Sequence, residues 1–192
     1  MERMEQKILR EGKVLPGGIL KVGSFLNQQI DTAFLAEIGL EVARLFEDSG
    51  VTKILTIESS GIAIAASVGM AMGVPLVFAK KHKTSNVDGS VYSTVVHSYT
   101  HNTDYTVVVS RDYLLPTDKV LLVDDFLANG KALLGLIELV HQAGAEVAGA
   151  SCAIEKGFQG GGDRLRNMGV NYHALAVIEK ADENGIIFRE EG

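Results

Sequence analysis

The chain predicts an α/β fold with a central, mostly parallel sheet flanked by helices. Three observations lead there. Short apolar runs rich in Val, Ile and Leu alternate with longer amphipathic stretches through most of the 192 residues. Residues 51–79 form one strand–helix–strand unit, the building block of parallel sheets. Residues 119–155 repeat that order, and here the first apolar run ends in two adjacent acids, Asp124 and Asp125.

The elements follow in order. The first forty residues fit the scheme least well. The stretch VLPGGILKVGSFLNQQI (14–30) holds a Pro, three Gly and exposed-looking polar residues, and suggests a small cap beside the main sheet. Asp31 is placed to cap a helix with Phe34, Leu35, Ile38, Val42, Leu45 and Phe46 on one face, ended by Gly50. A strand is expected at 51–57, a buried helix at 61–72 and a strand at 75–79. The stretch KKHKTSNVDGS (80–90) is polar and aperiodic and reads as a mobile loop. Strands at 91–99 and 105–110 are joined by the turn THNTD. Then come a strand at 119–123, a turn, a helix over about 130–143 stopped by Gly144, a strand at 146–155, a short helix at 163–168, and edge strands near 173–178 and 185–189.

Composition bounds the function. With 46% hydrophobic residues the chain is rich enough for a full core, and one domain over 1–192 is expected. A net charge of −6 argues against nucleic acid as the main partner. The single cysteine, Cys152, excludes an internal disulfide, suits a reducing cytoplasm, and lies in an apolar run where a packed thiol is expected. The opening MERMEQKILREGK has no apolar core and is not a signal peptide. Residues 61–79 are uncharged and long enough to span a membrane, but Gly69, Gly73 and Pro75 interrupt them, so soluble core is expected. His97 and His101 are four apart in a strand region, where that spacing makes no metal pair.

Ligands of open α/β sheets bind beyond the carboxyl ends of strands. Asp124 and Asp125 are expected at such an end, where carboxylates accept hydrogen bonds from sugar hydroxyls or hold a hydrated Mg²⁺. Ala128, Asn129, Gly130, Lys131 and Ala132 follow as a small-residue turn into a helix, and the amides of such a turn suit an anion. Together they describe a sugar-phosphate site. A plainer reading stays open: acids that solvate a strand end and cap a helix. The GxxxxGK[ST] phosphate motif fails, because Asp125 stands where it needs Gly and Ala132 where it needs Ser or Thr.

The stretch VLLVDDFLANGKAL (120–133) resembles the signature of the type I phosphoribosyltransferases, in particular of their xanthine-using branch. Four other stretches resemble that branch in order and spacing: LKVGSFLNQQID (20–31), TKILTIESSGIA (52–63), GVPLVFAKKHK (73–83) and IEKGFQGGGDRL (154–165). The resemblance implies the type I phosphoribosyltransferase fold, with residues 1–30 contributing to a base-binding cap, or hood. It implies transfer of the phosphoribosyl group from 5-phosphoribosyl-1-pyrophosphate to xanthine in purine salvage, giving xanthosine 5′-monophosphate and pyrophosphate. Mg²⁺ is then expected to accompany the sugar pyrophosphate, without a dedicated protein-only site.

The roles implied are specific. The 5′-phosphate falls on 128–132 and the ribose hydroxyls on Asp124 and Asp125, whose charge favours the positive anomeric carbon. The branch often carries Gln at the place of Lys131, and a lysine there adds a positive charge beside the phosphate. Glu58, Ser59, Ser60 and Gly61 are expected to receive the pyrophosphate through backbone amides, with Gly61 allowing close approach; a plain helix cap by Ser59 or Ser60 is compatible with that. Lys81, in the basic run 80–83, is the candidate to meet the leaving pyrophosphate from a closing loop, often across a homodimer interface. Read without the resemblance, that run is a solvated loop. Leu20, Asn27 and Lys156 are the base-binding candidates: Asn27 donates to the C2 oxo group, and Lys156 donates near O6 and N7. Phe158 either stacks near the base or packs. Rival readings are an enzyme of the same fold for adenine or hypoxanthine-guanine, and a non-catalytic nucleic-acid-binding regulator that senses the sugar pyrophosphate.

Overall fold

In the computed structural model, residues 1–16, 18–82, 90–98, 103–183 and 185–189 are described. Eight strands form one sheet. In spatial order they are β10 (Gly185–Phe188), β9 (Tyr172–Asp182), β8 (Glu146–Lys156), β7 (Lys119–Leu127), β3 (Lys53–Ile57), β4 (Leu76–His82), β6 (Thr103–Ser110) and β5 (Val91–Ser98). The run from β9 to β4 pairs in parallel, and β10, β6 and β5 add antiparallel edges. Parallel central strands are buried on both faces; all five residues of β3 are buried, as are Val120–Asp124 of β7.

Two helices follow the central strands and cover opposite faces. Helix α3 (Gly61–Met72) leaves β3 and packs Ile64, Ala65 and Val68 into one core with α2 (Thr32–Leu45). Helix α4 (Lys131–Gln142) leaves β7 and packs Leu133, Leu136 and Val140 into the other core, against β5 and β6. Strand order therefore reverses between β3 and β7, and their carboxyl ends flank a topological switch point.

Several expected boundaries move. The acids were placed beyond a strand ending at Val123; β7 instead continues to Leu127, because Asp124, Phe126 and Leu127 pair with Cys152, Ile154 and Glu155 of β8. Lys80 and Lys81 were placed on a loop, yet β4 runs on to His82 through antiparallel pairing with β6. Lys156 was placed beyond its strand and is the last residue of β8, paired with Ile178. The short helix α5 is Gly161–Asn167 rather than 163–168. Helix α2 stops at Leu45, and Gly50 (φ +64°) serves the turn after it. Residues 83–89 of the expected mobile loop, and Tyr99 and His101, lie outside the described residues.

The N-terminal cap exists and has more regular structure than its sequence suggested. Helix α1 (Glu2–Glu11), the hairpin β1 (Lys13–Leu15) and β2 (Ile19–Lys21), and a π-helical turn (Gly23–Asn27) bury Met4, Ile8, Leu20, Val22, Phe25 and Leu26 in the α3-side core. Asp31 caps α2 as expected, accepting from the Phe34 amide at 3.1 Å.

The opposite end of the β3–β7 pair is locked by charge. Lys53 Nζ donates to Asp118 Oδ2 and to the Tyr113 carbonyl, each at 2.7 Å, and Asp118 also accepts from the Leu115 amide at 2.8 Å. Both side chains are almost fully buried. Removing one partner of such a pair costs about 3–5 kcal/mol, whereas replacing both by apolar groups of similar volume is close to neutral. Asp118→Ala is therefore expected to lower the unfolding free energy by about 3–5 kcal/mol, and Lys53→Met/Asp118→Leu to recover most of the loss. Urea titration of the three proteins checks this; equal stability of parent and Asp118→Ala would remove the lock.

Candidate active site

The two acids sit inside the sheet edge rather than on a free loop. Asp124 is buried, and its Oδ1 accepts the Asp125 amide at 2.9 Å. Asp125 is half-buried. Burial first, and the charge of Asp125 second, push the Asp124 carboxyl well above the ordinary carboxylate range, while the nearby Lys81 charge opposes the shift. The acids are thus poised beside the switch point with a cation already close.

The loop after β3 closes on Asp124 from the other side. A Cβ at Gly61 would stand 2.9 Å from Asp124 Oδ1 and closer still to Thr56 Oγ1. Only glycine lets α3 begin there. Thr56 Oγ1 is buried and has no hydrogen-bond partner among the described residues; sequence reading missed it, because a Thr inside an apolar strand carries no motif. The Glu58–Ser59 peptide is cis. Ser60 occupies the N-cap of α3 without a side-chain hydrogen bond, which removes Ser60 from the plain capping reading. Glu58 accepts the Lys81 amide at 2.6 Å, so β4 and this loop are tied together.

Lys81 is exposed on β4, and its ammonium lies 5.4 Å from the Tyr105 ring centroid. Tyr105, on β6, is half-buried; burial and the Asp124 charge raise its hydroxyl pKa. Tyr105 is a second residue that sequence reading passed over, since its place is set by β4–β6 pairing and not by any local pattern.

The turn after β7 matches its expected form. Gly130 takes φ +85° at the N-cap of α4. Asn129 Oδ1 accepts the Lys131 amide at 3.1 Å, and the first intrahelical bond runs from Leu134 to Gly130. The amides of Ala132 and Leu133 therefore have no acceptor within the helix and are open to an anion. Lys131 and Ala132 belong to the first turn of α4 rather than to the turn itself.

The base-binding candidates divide into two groups. Leu20 and Asn27 line one cleft of the cap, with Lys21, Ser24 and Gln28. Leu20 is buried as its floor and Asn27 is exposed at the end of the π-helical turn. Lys156 stands apart at the end of β8, its ammonium 5.7 Å from the centroid of Phe126, the residue after Asp125. No described contact joins Lys156 to Asn27. Phe158 is largely exposed on the 3-10 turn Gly157–Gln159. Cys152 is a packed thiol, as expected, 2.9 Å from the Tyr172 hydroxyl, and burial pushes its pKa up, away from reactivity. Among the described residues there is no group of three or more His, Cys, Asp or Glu suited to a metal ion, and no helix is long and apolar enough to cross a membrane.

Residues 27–165 match the sequence model of the phosphoribosyl transferase domain. The chain is 48% identical over 191 residues to the xanthine phosphoribosyltransferase of Lachnoclostridium phytofermentans, covering 98% of each chain. It is 51% identical over 189 residues to that of Bifidobacterium adolescentis, covering 97% of this chain and 98% of the relative. Among solved structures it is similar to the APRTase of Giardia lamblia complexed with 9-deazaadenine, at 24% identity, a TM-score of 0.74, and coverage of 91% of this chain and 96% of that one. At that identity the likeness concerns the fold.

The raised Asp124 carboxyl has a consequence for stability. A carboxyl whose folded pKa exceeds its unfolded value near 3.8 holds more protons when folded. The stability it contributes is complete below that value and is lost as pH rises through the raised one. Asp124→Asn keeps the acceptor for the Asp125 amide and removes the charge. The variant is therefore expected to melt higher than the parent at pH 8, by about 2–4 °C for each kcal/mol released, with the gap closing at pH 3.5. Calorimetry across that range checks it; a gap independent of pH would mean that Asp124 bears no burial penalty.

Proposed function

The chain belongs to the phosphoribosyltransferase family, and from that premise we propose that it transfers the phosphoribosyl group of 5-phosphoribosyl-1-pyrophosphate to xanthine in purine salvage. The bond from the anomeric carbon to the pyrophosphate oxygen breaks, and N9 of xanthine bonds to that carbon and gives up its proton. The products are xanthosine 5′-monophosphate and pyrophosphate. One observation carries the reading: two acids and a glycine turn meet a glycine-started helix at the switch point between β3 and β7, in a chain about half identical, end to end, to proteins called xanthine phosphoribosyltransferases.

The geometry supports the following roles. The turn 128–132 holds the 5′-phosphate through the open amides of α4, with Lys131 adding charge nearby. Asp124 and Asp125 hold the ribose hydroxyls and favour the positive charge that grows on the anomeric carbon. The segment Glu58, Ser59, Ser60 and Gly61 takes the pyrophosphate, and Lys81, whose charge already reaches Asp124, compensates the leaving group. A side-by-side carboxylate pair, in which burial and the neighbouring charge of Asp125 disfavour the charge of Asp124, would suit a divalent cation. Mg²⁺ carried by the sugar pyrophosphate would supply charge neutralisation there. Leu20 and Asn27 in the cap cleft and Lys156 at the end of β8 recognise the base. A cytoplasmic setting suits a chain whose one cysteine is a packed thiol.

A second copy of the chain is expected to cover the outer face of β4 and β6. Phe78 and Tyr113 are exposed there beside a groove lined by Pro75, Val77, Val91 and Val109. Phe78→Asp is expected to shift the protein from dimer to monomer in sedimentation; a parent that sediments as a monomer sinks the homodimer.

The reaction is tested by supplying radiolabelled sugar pyrophosphate, Mg²⁺ and each purine base, and scoring the nucleotide formed. Xanthosine 5′-monophosphate is expected to dominate; preference for adenine or hypoxanthine, or no turnover with any base, rejects the assignment. Asp124→Asn and Asp125→Asn are each expected to lower kcat by about 10²–10³ while remaining folded. Asn27→Ala is expected to reduce the advantage of xanthine over hypoxanthine by about tenfold to a hundredfold, the cost of roughly 1–3 kcal/mol for one missing hydrogen bond. Lys156→Ala should weaken all 6-oxopurines alike. Unchanged base ratios in Asn27→Ala would free the cap cleft from base recognition.

A further inference from the structure

Three consecutive glycines, Gly160 to Gly162, follow the base-recognition lysine, and each meets a different requirement. Gly160 takes φ +71° in open space, so it serves the turn. Gly162 faces Glu155, and a Cβ there would fall closer than 3.0 Å to both carboxylate oxygens. Glu155 is fully buried; Arg166 donates to its Oε2 at 3.3 Å, and its Oε1 has no hydrogen-bond partner among the described residues. Gly161 faces neither solvent nor a side chain. A Cβ on it would stand 2.8 Å from the Gly130 nitrogen, 2.9 Å from the Asn129 carbonyl carbon, and nearer still to the Ala128 carbonyl oxygen. From the other side, a Cβ on Gly130 would meet the Gly161 Cα and carbonyl oxygen at 3.4 Å. The start of α5 and the turn after β7 are therefore packed backbone on backbone, with no side chain between them to yield.

We propose that Gly161 is a positioning residue for the phosphate turn, and that the turn at 128–130 and the segment from Lys156 to Gly162 move as one joint linking the phosphate end of the site to its base end. The inference rests on the phosphate reading of the turn. Lys156 ends β8, the 3-10 turn Gly157–Gln159 follows directly, and Gly160 swings the chain onto the turn. Glu155, in register with Leu127 of β7, anchors the far side of the joint from within the sheet. Backbone atoms cannot rotate out of the way as a side chain does, so displacement of one segment displaces the other.

Hydrogen exchange of the parent with and without ribose 5-phosphate tests the joint first. Amides at 160–162 are expected to slow together with those at 130–134. Protection confined to 130–134 overturns the inference and leaves the phosphate reading standing; no protection at either place overturns both. Gly161→Ala tests it independently. Its methyl group drives the turn away, so ribose 5-phosphate is expected to bind about tenfold more weakly or worse, the scale of one lost charge-assisted hydrogen bond, with KM for the sugar pyrophosphate rising more than kcat falls. Gly169→Ala is the control. It strains the other end of α5, at φ +79°, where a Cβ meets nothing within 4 Å, and should lower the melting temperature while leaving ribose 5-phosphate affinity at the parent value. Equal weakening by both substitutions would reduce Gly161 to a general helix contact and overturn the proposal. Should Gly161→Ala fail to fold, the exchange experiment decides alone.

Discussion

The parallel pairing of β3 with β7 is the constraint on which the site depends. Ile54 faces Leu121 and Leu55 faces Leu122, so both strands point the same way and end at one edge of the sheet. Their helices then leave toward opposite faces, because each face needs an apolar cover. Two chains that diverge from neighbouring strand ends leave a crevice between them. Around it lie the acids on β7, the glycine-started helix after β3, and Lys81 on the next strand outward. The Lys53–Asp118 pair holds the same two strands at their other ends, and so sets the crevice from the side away from it.

Close approach of backbones is the second recurring device. Gly61 lets α3 start against Thr56 and Asp124, and Gly161 lets α5 start against the turn after β7. A methyl group at either place would meet atoms closer than 3.0 Å. The two glycines act alike in different currencies of contact: Gly61 admits a carboxylate and a hydroxyl, Gly161 admits another backbone. Loops packed in this way have few soft degrees of freedom, which suits a site that must hold a phosphate and a base at a set distance.

Much of this was legible in the sequence, and the gaps have physical causes. The alternation of apolar runs and amphipathic stretches predicted the parallel core, and Asp31 and Gly144 marked real helix ends, because these signals are local. The strand ends were misplaced because pairing sets them. Polarity suggested that β7 stopped at Val123 and that Lys81 lay on a loop, but β8 and β6 carry both strands further. The cap was foreseen but its helix α1 and its hairpin were not, because their apolar residues are few and make sense only against the sheet. The acids, the turn at 128–132 and the loop at 58–61 stood out as motifs. Tyr105, Phe126 and Gly161 did not, since each matters through a neighbour distant in sequence, and Thr56 did not, since a lone hydroxyl in an apolar strand carries no motif.

Asp124 shows why such a site tolerates a local penalty. Burying a carboxylate beside another acid disfavours its charge, and the raised pKa expresses that cost. Nearby positive charge favours the ionised form, and the Lys81 charge already opposes the shift. A low-dielectric setting that penalises the isolated charge also strengthens its attraction for a partner. The raised pKa of Asp124 and the strength of its attraction for nearby positive charge therefore have one origin, the depth at which β7 places it.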